Sequence, residues 1–357
     1  MCSLSLRLLN VGRGDCILLQ FPDKSWAIID CGIHHAGYTP HNQAAAFLSN
    51  QPPLDSPVRF ILATHPHADH DGGIMQLLQL IGEQRAIHSL YYSGIERRSE
   101  GWGSNGDKED GLWSFVDEAR RRLERGKIRE CKPLLAGTPI LLEPPLKEVR
   151  LDVISPTENL VNAAQRCKRL SQARALANNI SVVLVVTYAG VSVLLPGDIE
   201  QPECQQLLKK IAKNSPRVIK APHHGGRGSI PPPEILVDAP IPRFILISAG
   251  SGSAGHPHAD FLRTVRPSDT GWTIRCTGLA DACSELQQPQ ASPIHPHSHL
   301  PESLRRSLLA VAGSRRMMPA ARHFECCRNN CLVIHSDGQI DHAESGRRCD
   351  AGLANPV

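Results

Sequence analysis

Three imidazoles and a carboxylate fall within six residues, His65 to His70, directly after the strand-like run 58–63. This HxHxDH segment constrains the fold more than any other feature of the chain. A short apolar run reads as a buried strand, so the polar cluster sits where a strand ends. Ionisable groups at such a place are costly unless something partners them. Imidazole nitrogen and carboxylate oxygen are the ligand atoms that zinc or manganese takes. A solvated polar loop is the bland alternative, but it gives no reason for this spacing. The scaffold must therefore present strand ends to a shared polar centre.

The remaining chain can build one. Its 357 residues suffice for one large domain or two ordinary ones, and 41% hydrophobic with 21% charged residues is ordinary for a globular protein. Residues 4–32 read as two strands, 16–21 and 26–29, joined at the turn Pro22-Asp23-Lys24. Residues 74–81 read as a helix, and Leu112, Val116, Ala119 and Leu123 recur at helical spacing on another that carries Arg120, Arg121 and Arg122. In the second half 149–154, 181–188, 192–195, 218–221 and 244–248 read as strands and 204–213 as a helix. Strands alternating with helices imply a layered α/β protein, and the hairpins imply mixed sheets. Residues 284–328 begin with a stretch rich in Gln, Pro, Ser and His and read as a disordered or loop insertion; 329–357 read as a closing strand and C-terminal tail.

Further segments carry chemistry only in combination. They are Asn10-Val11-Gly12-Arg13-Gly14-Asp15, Ile29-Asp30-Cys31-Gly32, Asn179-Ile180-Ser181, Pro196-Gly197-Asp198, Pro222-His223-His224-Gly225-Gly226 and Gly255-His256-Pro257. Taken singly, most read as ordinary turns or surface loops. In this order, with the HxHxDH segment, they resemble the metallo-β-lactamase superfamily over roughly residues 4–283 and the strand near 331–340. Within it they are most similar to the hydrolase domains of ComEC-type competence proteins and their soluble cousins.

That resemblance implies a four-layer αβ/βα sandwich with mixed sheets, its hydrolase domain spanning 1–283. It implies two divalent metal ions, Zn or Mn, held by His65, His67, Asp69, His70, Asp198 and His223, with Asp198 bridging. Asp15, Asp30 and Asn179 would stand behind the ligands. Asp69, His224 and His256 would act on the catalytic side, His256 binding a phosphoryl oxygen or protonating a leaving group. The third-motif histidine of classical members is absent, and Asn178-Asn179 stands roughly where it would be. One metal is thereby left with His65, His67 and Asp198. Such a pair of metals binds a bridging hydroxide that attacks phosphorus or a carbonyl carbon.

The leading expectation is a phosphodiesterase or nuclease, with a phosphodiester or nucleic-acid substrate. Lys220, Arg227 and the basic run Arg120–Arg122 fit it, although a charge run is usually a solvated face, and a net charge of +4 is too mild to argue for nucleic acid. The alternatives are a carboxylic ester, thioester or lactone hydrolase, because this fold hosts many chemistries, and a partner-dependent, non-catalytic binding module. The intact ligand residues argue against the last. So does an aromatic content of 4%, which leaves few stacking platforms for single strands. A protein partner stays open. The chain shows no signal-peptide pattern and no run of about 18 apolar residues, and its 12 cysteines form no CxxC. The expectation is a cytoplasmic protein with free thiols and no membrane association. His34 and His35 read as solvated loop residues, and His295, His297 and His299 as part of the insertion rather than as metal ligands.

Overall fold

The structure, a computed structural model, describes residues 3–12, 14–32, 42–51, 55–82, 84–95, 111–142, 146–167, 176–212, 215–238, 243–249, 255–265, 271–277, 324–326 and 330–343. His34 and His35, the histidines 295, 297 and 299, and most of the insertion lie outside the described residues.

The strands are almost continuous apolar runs, and their alternation sorts side chains to two faces. In β2 (Ile17–Gln20) and β3 (Trp26–Ile29), Leu18, Trp26 and Ile28 join a cluster with Phe47, Leu77, Leu78 and Phe115. Their neighbours Ile17, Leu19, Ala27 and Ile29 point the other way, into a cluster shared with Leu184, Val186, Val193 and Leu195. Those four belong to β8 (Val183–Tyr188) and β9 (Val191–Leu195). The opposite residues of the same two strands, Val183, Val185 and Leu194, pack with Leu208, Ile211 and Phe261. Three cores therefore separate four layers, helices outside and two sheets face to face, as the family resemblance implies.

The first sheet has eight strands in the order β15-β14-β1-β2-β3-β4-β5-β6, with β1 (Ser3–Leu8), β4 (Val58–Ala63), β5 (Ile87–Tyr92), β6 (Glu130–Pro133), β14 (Asn330–His335) and β15 (Ile340–Ala343). It is antiparallel from β15 to β3 and parallel from β3 to β6. The second has seven, β13-β12-β11-β10-β9-β8-β7, with β7 (Val149–Ser155), β10 (Val218–Lys220), β11 (Phe244–Ile247), β12 (Thr273–Cys276) and β13 (Phe324–Cys326). It is parallel from β9 to β13. Two expectations need correction. The first 32 residues hold three strands, because Ser3–Leu8 pairs on both sides, with β2 and with β14. Phe324–Cys326, placed by composition inside the insertion, pairs with β12, so backbone pairing resumes before residue 328.

Helices close the outer faces. α1 (Gln43–Ser49), α2 (Ala68–Asp71), α3 (Ile74–Ile81), α4 (Gly111–Glu124) and α5 (Glu158–Gln165) belong to the first half; α6 (Glu203–Ile211), α7 (Pro233–Asp238) and α8 (Ala259–Thr264) to the second. In α3 the buried side chains are Ile74, Leu77, Leu78 and Ile81, at i, i+3, i+4 and i+7. Each contributes roughly 1.5–3 kcal/mol of burial. Asn42 starts α1 by accepting the Ala45 N–H at 2.9 Å, and its amide donates to Gly73 O at 2.7 Å, tying α1 to the turn before α3.

Candidate metal centre

β4 ends at Ala63, and Thr64 to Asp71 turn across the strand ends. The turn is fixed from two sides. Asp30, just after β3, accepts the Thr64 N–H through Oδ1 and the Thr64 hydroxyl through Oδ2, each at 2.7 Å. Asp15 donates its N–H to Asp69 O at 3.0 Å. Gly14 permits that approach: it lies at φ +116°, and a Cβ there would fall on the Asp69 carbonyl. Asp198 follows β9 in the turn Pro196-Gly197, its N–H donating to Ser181 Oγ at 3.0 Å. The doublet His223-His224 follows β10, both residues in the left-handed region.

These loops bring their side chains to one place. Asp198 Oδ2 lies 3.0 Å from His70 Nε2, 3.3 Å from His224 Nε2, 3.8 Å from His223 Nε2 and 4.0 Å from His65 Nε2. His67 Nδ1 lies 3.1 Å from His65 Nε2, and Asp69 Oδ2 lies 3.9 Å from His224 Nε2. Two atoms bound at ~2.1 Å to one tetrahedral ion stand about 3.4 Å apart. Spacings compatible with shared coordination hold for His65, His70, His224, Asp69 and Asp198, while His67 and His223 join no such compact group among the described residues, and His224 Nε2 is buried without a hydrogen bond of its own. Among the described residues the compact ligand trios include His65, His70, Asp198 and Asp69, His70, His224. Nitrogen and carboxylate donors in this mixture suit zinc or manganese. The doublet differs from the sequence expectation here: His224, rather than His223, stands against Asp69 and His70.

Charge explains the rest of the geometry. Asp15, Asp30 and Asp198 are buried, and the fixed cation among them is Lys220, also buried. Its ammonium contacts Asp15 and lies 3.2 Å from Asp198 Oδ1 and 3.2 Å from Gly197 O. Burial opposes ionisation of Asp198, but His224, His70 and Lys220 hold its carboxyl well below the usual range. Burial likewise opposes charge on His224, yet Asp198 and Asp15 raise it to about 9. His70 is raised in the same way by Asp198 and Asp30. His65, buried beside His70 and His67, is pushed down. The centre thus collects negative charge that protons or divalent cations must offset. Behind it, His70 Nδ1 is 2.7 Å from Asp30 Oδ2, the outer partner a ligating imidazole needs.

The remaining expected residues are placed as follows. His256 stacks near the doublet, its ring 4.8 Å from His223 and 6.4 Å from His224. Asn179 is not among the converging ligands: its Oδ1 accepts the Glu200 N–H at 2.7 Å and its Nδ2 donates to Glu203 at 2.8 Å. Lys220 was expected among charges facing substrate; its burial between two carboxylates removes it from that role. Arg121 and Arg122 pair with Glu118 on their own helix, as a solvated face does. Sequence reasoning missed Glu200, whose Oε1 lies 2.5 Å from His223 Nδ1. Its only signal was its place two residues after Asp198.

The fold and centre define a metallo-hydrolase of the β-lactamase type, and comparison with known proteins agrees. The metallo-beta-lactamase superfamily profile matches residues 9–230, well over half of the chain, and the protein belongs to that superfamily. It is 32% identical over 93 residues to ComE operon protein 3 of Bacillus subtilis (strain 168), a stretch covering 26% of this chain and 12% of that protein. Two solved structures align with it. The metallo-beta-lactamase fold protein YhfI of Bacillus subtilis aligns with a TM-score of 0.41 at 10% identity, covering 95% of this chain and 99% of that one. The short form of human tRNase Z aligns with a TM-score of 0.38 at 12% identity, covering 78% and 94%. Among the described residues no helix is long and apolar enough to cross a membrane.

Proposed function

We propose that this metallo-hydrolase is a phosphodiesterase acting on nucleic acid or a related phosphodiester. The observation that carries the reading is Asp198 Oδ2, which lies within 4.0 Å of a ring nitrogen of each of His65, His70, His223 and His224. One carboxylate so placed can serve two cations at once. Asp69, His70, His224 and Asp198 would hold one, and His65, His67 and Asp198 the other. Two such cations supply Lewis acidity and an activated water at neutral pH, the chemistry in-line phosphodiester cleavage needs.

The chain's own residues do the rest. Asp30 keeps the His70 ring in one orientation through Nδ1. Lys220 balances Asp15 and Asp198, so that both stay ionised without a proton. The centre reaches solvent through Asp69 and His223, whose side chains are 26% and 21% exposed, beside His256. His256 is thereby placed to bind a phosphoryl oxygen or to give a proton to the leaving oxygen. Arg227, 77% exposed on the same loop as the doublet, is paired with Asp260 at 3.4 Å. The resemblance of its motifs to the hydrolase domains of competence proteins supports a nucleic-acid substrate.

The test is a substrate panel on the purified protein across added Zn²⁺ and Mn²⁺. Hydrolysis of bis-p-nitrophenyl phosphate and of a nucleic-acid oligomer is expected. Turnover of a thioester or a lactone with no phosphodiester cleavage would overturn the substrate class. No metal uptake would overturn the hydrolase reading and favour a binding module.

A further inference from the structure

The basic run that begins at Arg120 continues past the end of α4. Between Gly111 and Pro133 seven cations stand against four acids, an excess of three in a chain whose whole net charge is +4. Positive charge is therefore concentrated on this segment, and a concentrated field attracts polyanions where a diffuse one does not. Arg120, Arg121, Arg125, Lys127 and Arg129 are exposed. Arg121 and Arg122 donate their Nε–H to Glu118 at 3.1 and 2.8 Å. Among the described residues no ion pair engages Arg125 or Lys127. The turn after α4 shapes this charge into a cleft. Gly126, at φ +65°, donates its N–H to Leu123 O at 3.0 Å, and Lys127 donates its own to Arg122 O at 2.8 Å. Backbone groups thus satisfy those two carbonyls, and the Lys127 ammonium is not needed to cap them. Beside the turn lies a cavity of about 270 Å³ lined by Gly82, Gln84, Arg85, Ile87, Arg122 and Lys127. Among the described residues its lining holds three cations and no carboxylate. Arg85 is fixed by donating to Ser56 O, Leu48 O and Gln51 O. Arg122 Nη1 comes so near Gly82 that a Cβ there would stand 2.8 Å from it. The volume is below the ~300 Å³ at which pockets for whole small ligands begin. It suits a phosphate group rather than an entire nucleotide.

The cleft is remote from the metal centre. Ala63, which leads into the metal turn, pairs with Tyr92 at the C-terminal end of β5, whereas Ile87 starts that strand. A strand of five or six residues is about 17–20 Å long, which sets the separation. α4 connects the two ends. It touches α2, inside the metal turn, and its 14 residues cover ~21 Å on the way back toward β6. Arg121 and Arg125, four residues apart, share a face of its second half. We propose that the cleft between the ends of α3 and α4 is a second anion site, which takes a phosphate of a nucleic-acid backbone on Arg122 and Lys127 while Arg121 and Arg125 meet the phosphates beside it. The proposed function selects this polyanion, because a nucleic acid cut at the metal centre carries further phosphates on both sides of the scissile one. At about 3.4 Å per nucleotide, roughly 6 nucleotides bridge the centre and the cleft. What the site serves rests on the phosphodiesterase reading; the binding itself does not.

The test reads binding and turnover separately. Metal-free protein is titrated with a fluorescein-labelled single-stranded DNA of about 12 nucleotides, twice the bridging length, and anisotropy is followed across salt. The variant is Lys127→Glu with Arg125→Glu, two exposed positions away from the metal centre, and its melting temperature should match the wild type. Its affinity should fall at least about tenfold, and the slope of log K against log salt should lose about 2, one for each phosphate contact removed. In metal-loaded protein the KM for the oligomer should rise by a like factor with kcat unchanged. Bis-p-nitrophenyl phosphate is too short to reach the cleft, so its turnover should stay at the wild-type rate. Wild type that binds the oligomer yet cleaves no phosphodiester would end the phosphodiesterase reading and leave the anion site standing. Wild type that does not bind the oligomer, or a double variant with wild-type affinity and salt slope, would overturn the site whatever the activity. Polyglutamate bound as tightly as the oligomer, and released by the same variant, would make the cleft a docking face for an acidic protein and overturn the nucleic-acid assignment.

Discussion

Lys220 is the residue whose replacement reports most directly on how the centre is held together before metal arrives. Its ammonium contacts Asp15 and lies 3.2 Å from Asp198 Oδ1, and all three side chains are 2% exposed or less. Lys220→Met keeps the volume of the stem and removes the charge. Two buried carboxylates then face each other with no fixed cation, and breaking a buried ion pair in this way costs about 3–5 kcal/mol. In a domain of 150–250 residues one kcal/mol moves the melting temperature by roughly 2–4 °C, and in a larger one by no more, so the metal-free variant should melt several degrees, and at most about 20 °C, below the wild type. The lost packing is small, because Met fills most of the space.

Electrostatics and packing are separated by a double-mutant cycle read by urea unfolding. Asp15→Asn removes one of the stranded charges, so Lys220→Met should cost much less in the Asp15→Asn background, with a coupling above about 1 kcal/mol. Contacting charges normally couple at 0.5–3 kcal/mol, while independent sites add within about 0.5 kcal/mol. Additive effects, or a loss below about 1 kcal/mol in the single variant, would refute the assignment of Lys220 as the internal counter-ion.

Other consequences can be read independently. Asp30→Asn keeps a residue that accepts φ +58° but removes the anionic partner of His70 Nδ1; metal affinity should fall roughly 10–100-fold with little change in fold, and unchanged affinity measured by Co²⁺ titration would contradict that role. His256→Ala should slow phosphodiester turnover by about 10²–10⁴-fold while metal content stays at wild-type level; loss of metal would make His256 a ligand instead. Asp198→Asn should lose both metal and turnover, and full activity would end the two-metal mechanism. The pH profile of the metal-free protein follows from His224, raised to about 9. A raised imidazole contributes its full stability below its unfolded value of ~6.5 and loses it as pH rises through 9. The melting temperature of chelator-treated protein should therefore fall between pH 6.5 and 9.5, and a flat or rising profile would show that His224 is neutral without metal.

What the sequence reveals of this fold depends on whether the cause is local. β2, β3, β4 and α3 were legible because each carries its apolar pattern within a few residues, and the HxHxDH turn because its ligand atoms are adjacent in the chain. β6 was not. Glu130–Pro133 is half-buried along its length, and its place at the sheet edge comes from backbone pairing with β5. β13 escaped for the same reason, since among the described residues it pairs with β12, some fifty residues earlier. Lys220 was misjudged because lysine is almost never fully buried unless paired. Its partners, Asp15 and Asp198, follow strands of the two different sheets, so the pairing exists only once the sandwich closes.

The doublet shows the limit most clearly. Read along the chain, His223 and His224 compete for one role, and the better guess is to name one a ligand and the other a bystander. The structure gives them different neighbours because both adopt left-handed backbone, a conformation that costs on the order of 1–3 kcal/mol per residue and persists where the surroundings enforce it. Gly225, at φ +81° with Pro257 and Phe261 packed beneath it, fixes the following turn, and His258 donates its N–H to Gly225 O at 2.9 Å. The loop carrying His256 is thereby bound to the loop carrying the doublet. The same anchoring that holds both histidines in their uncommon conformation also sets His256 beside them, so ligand placement and the substrate-side group are determined by one packed junction.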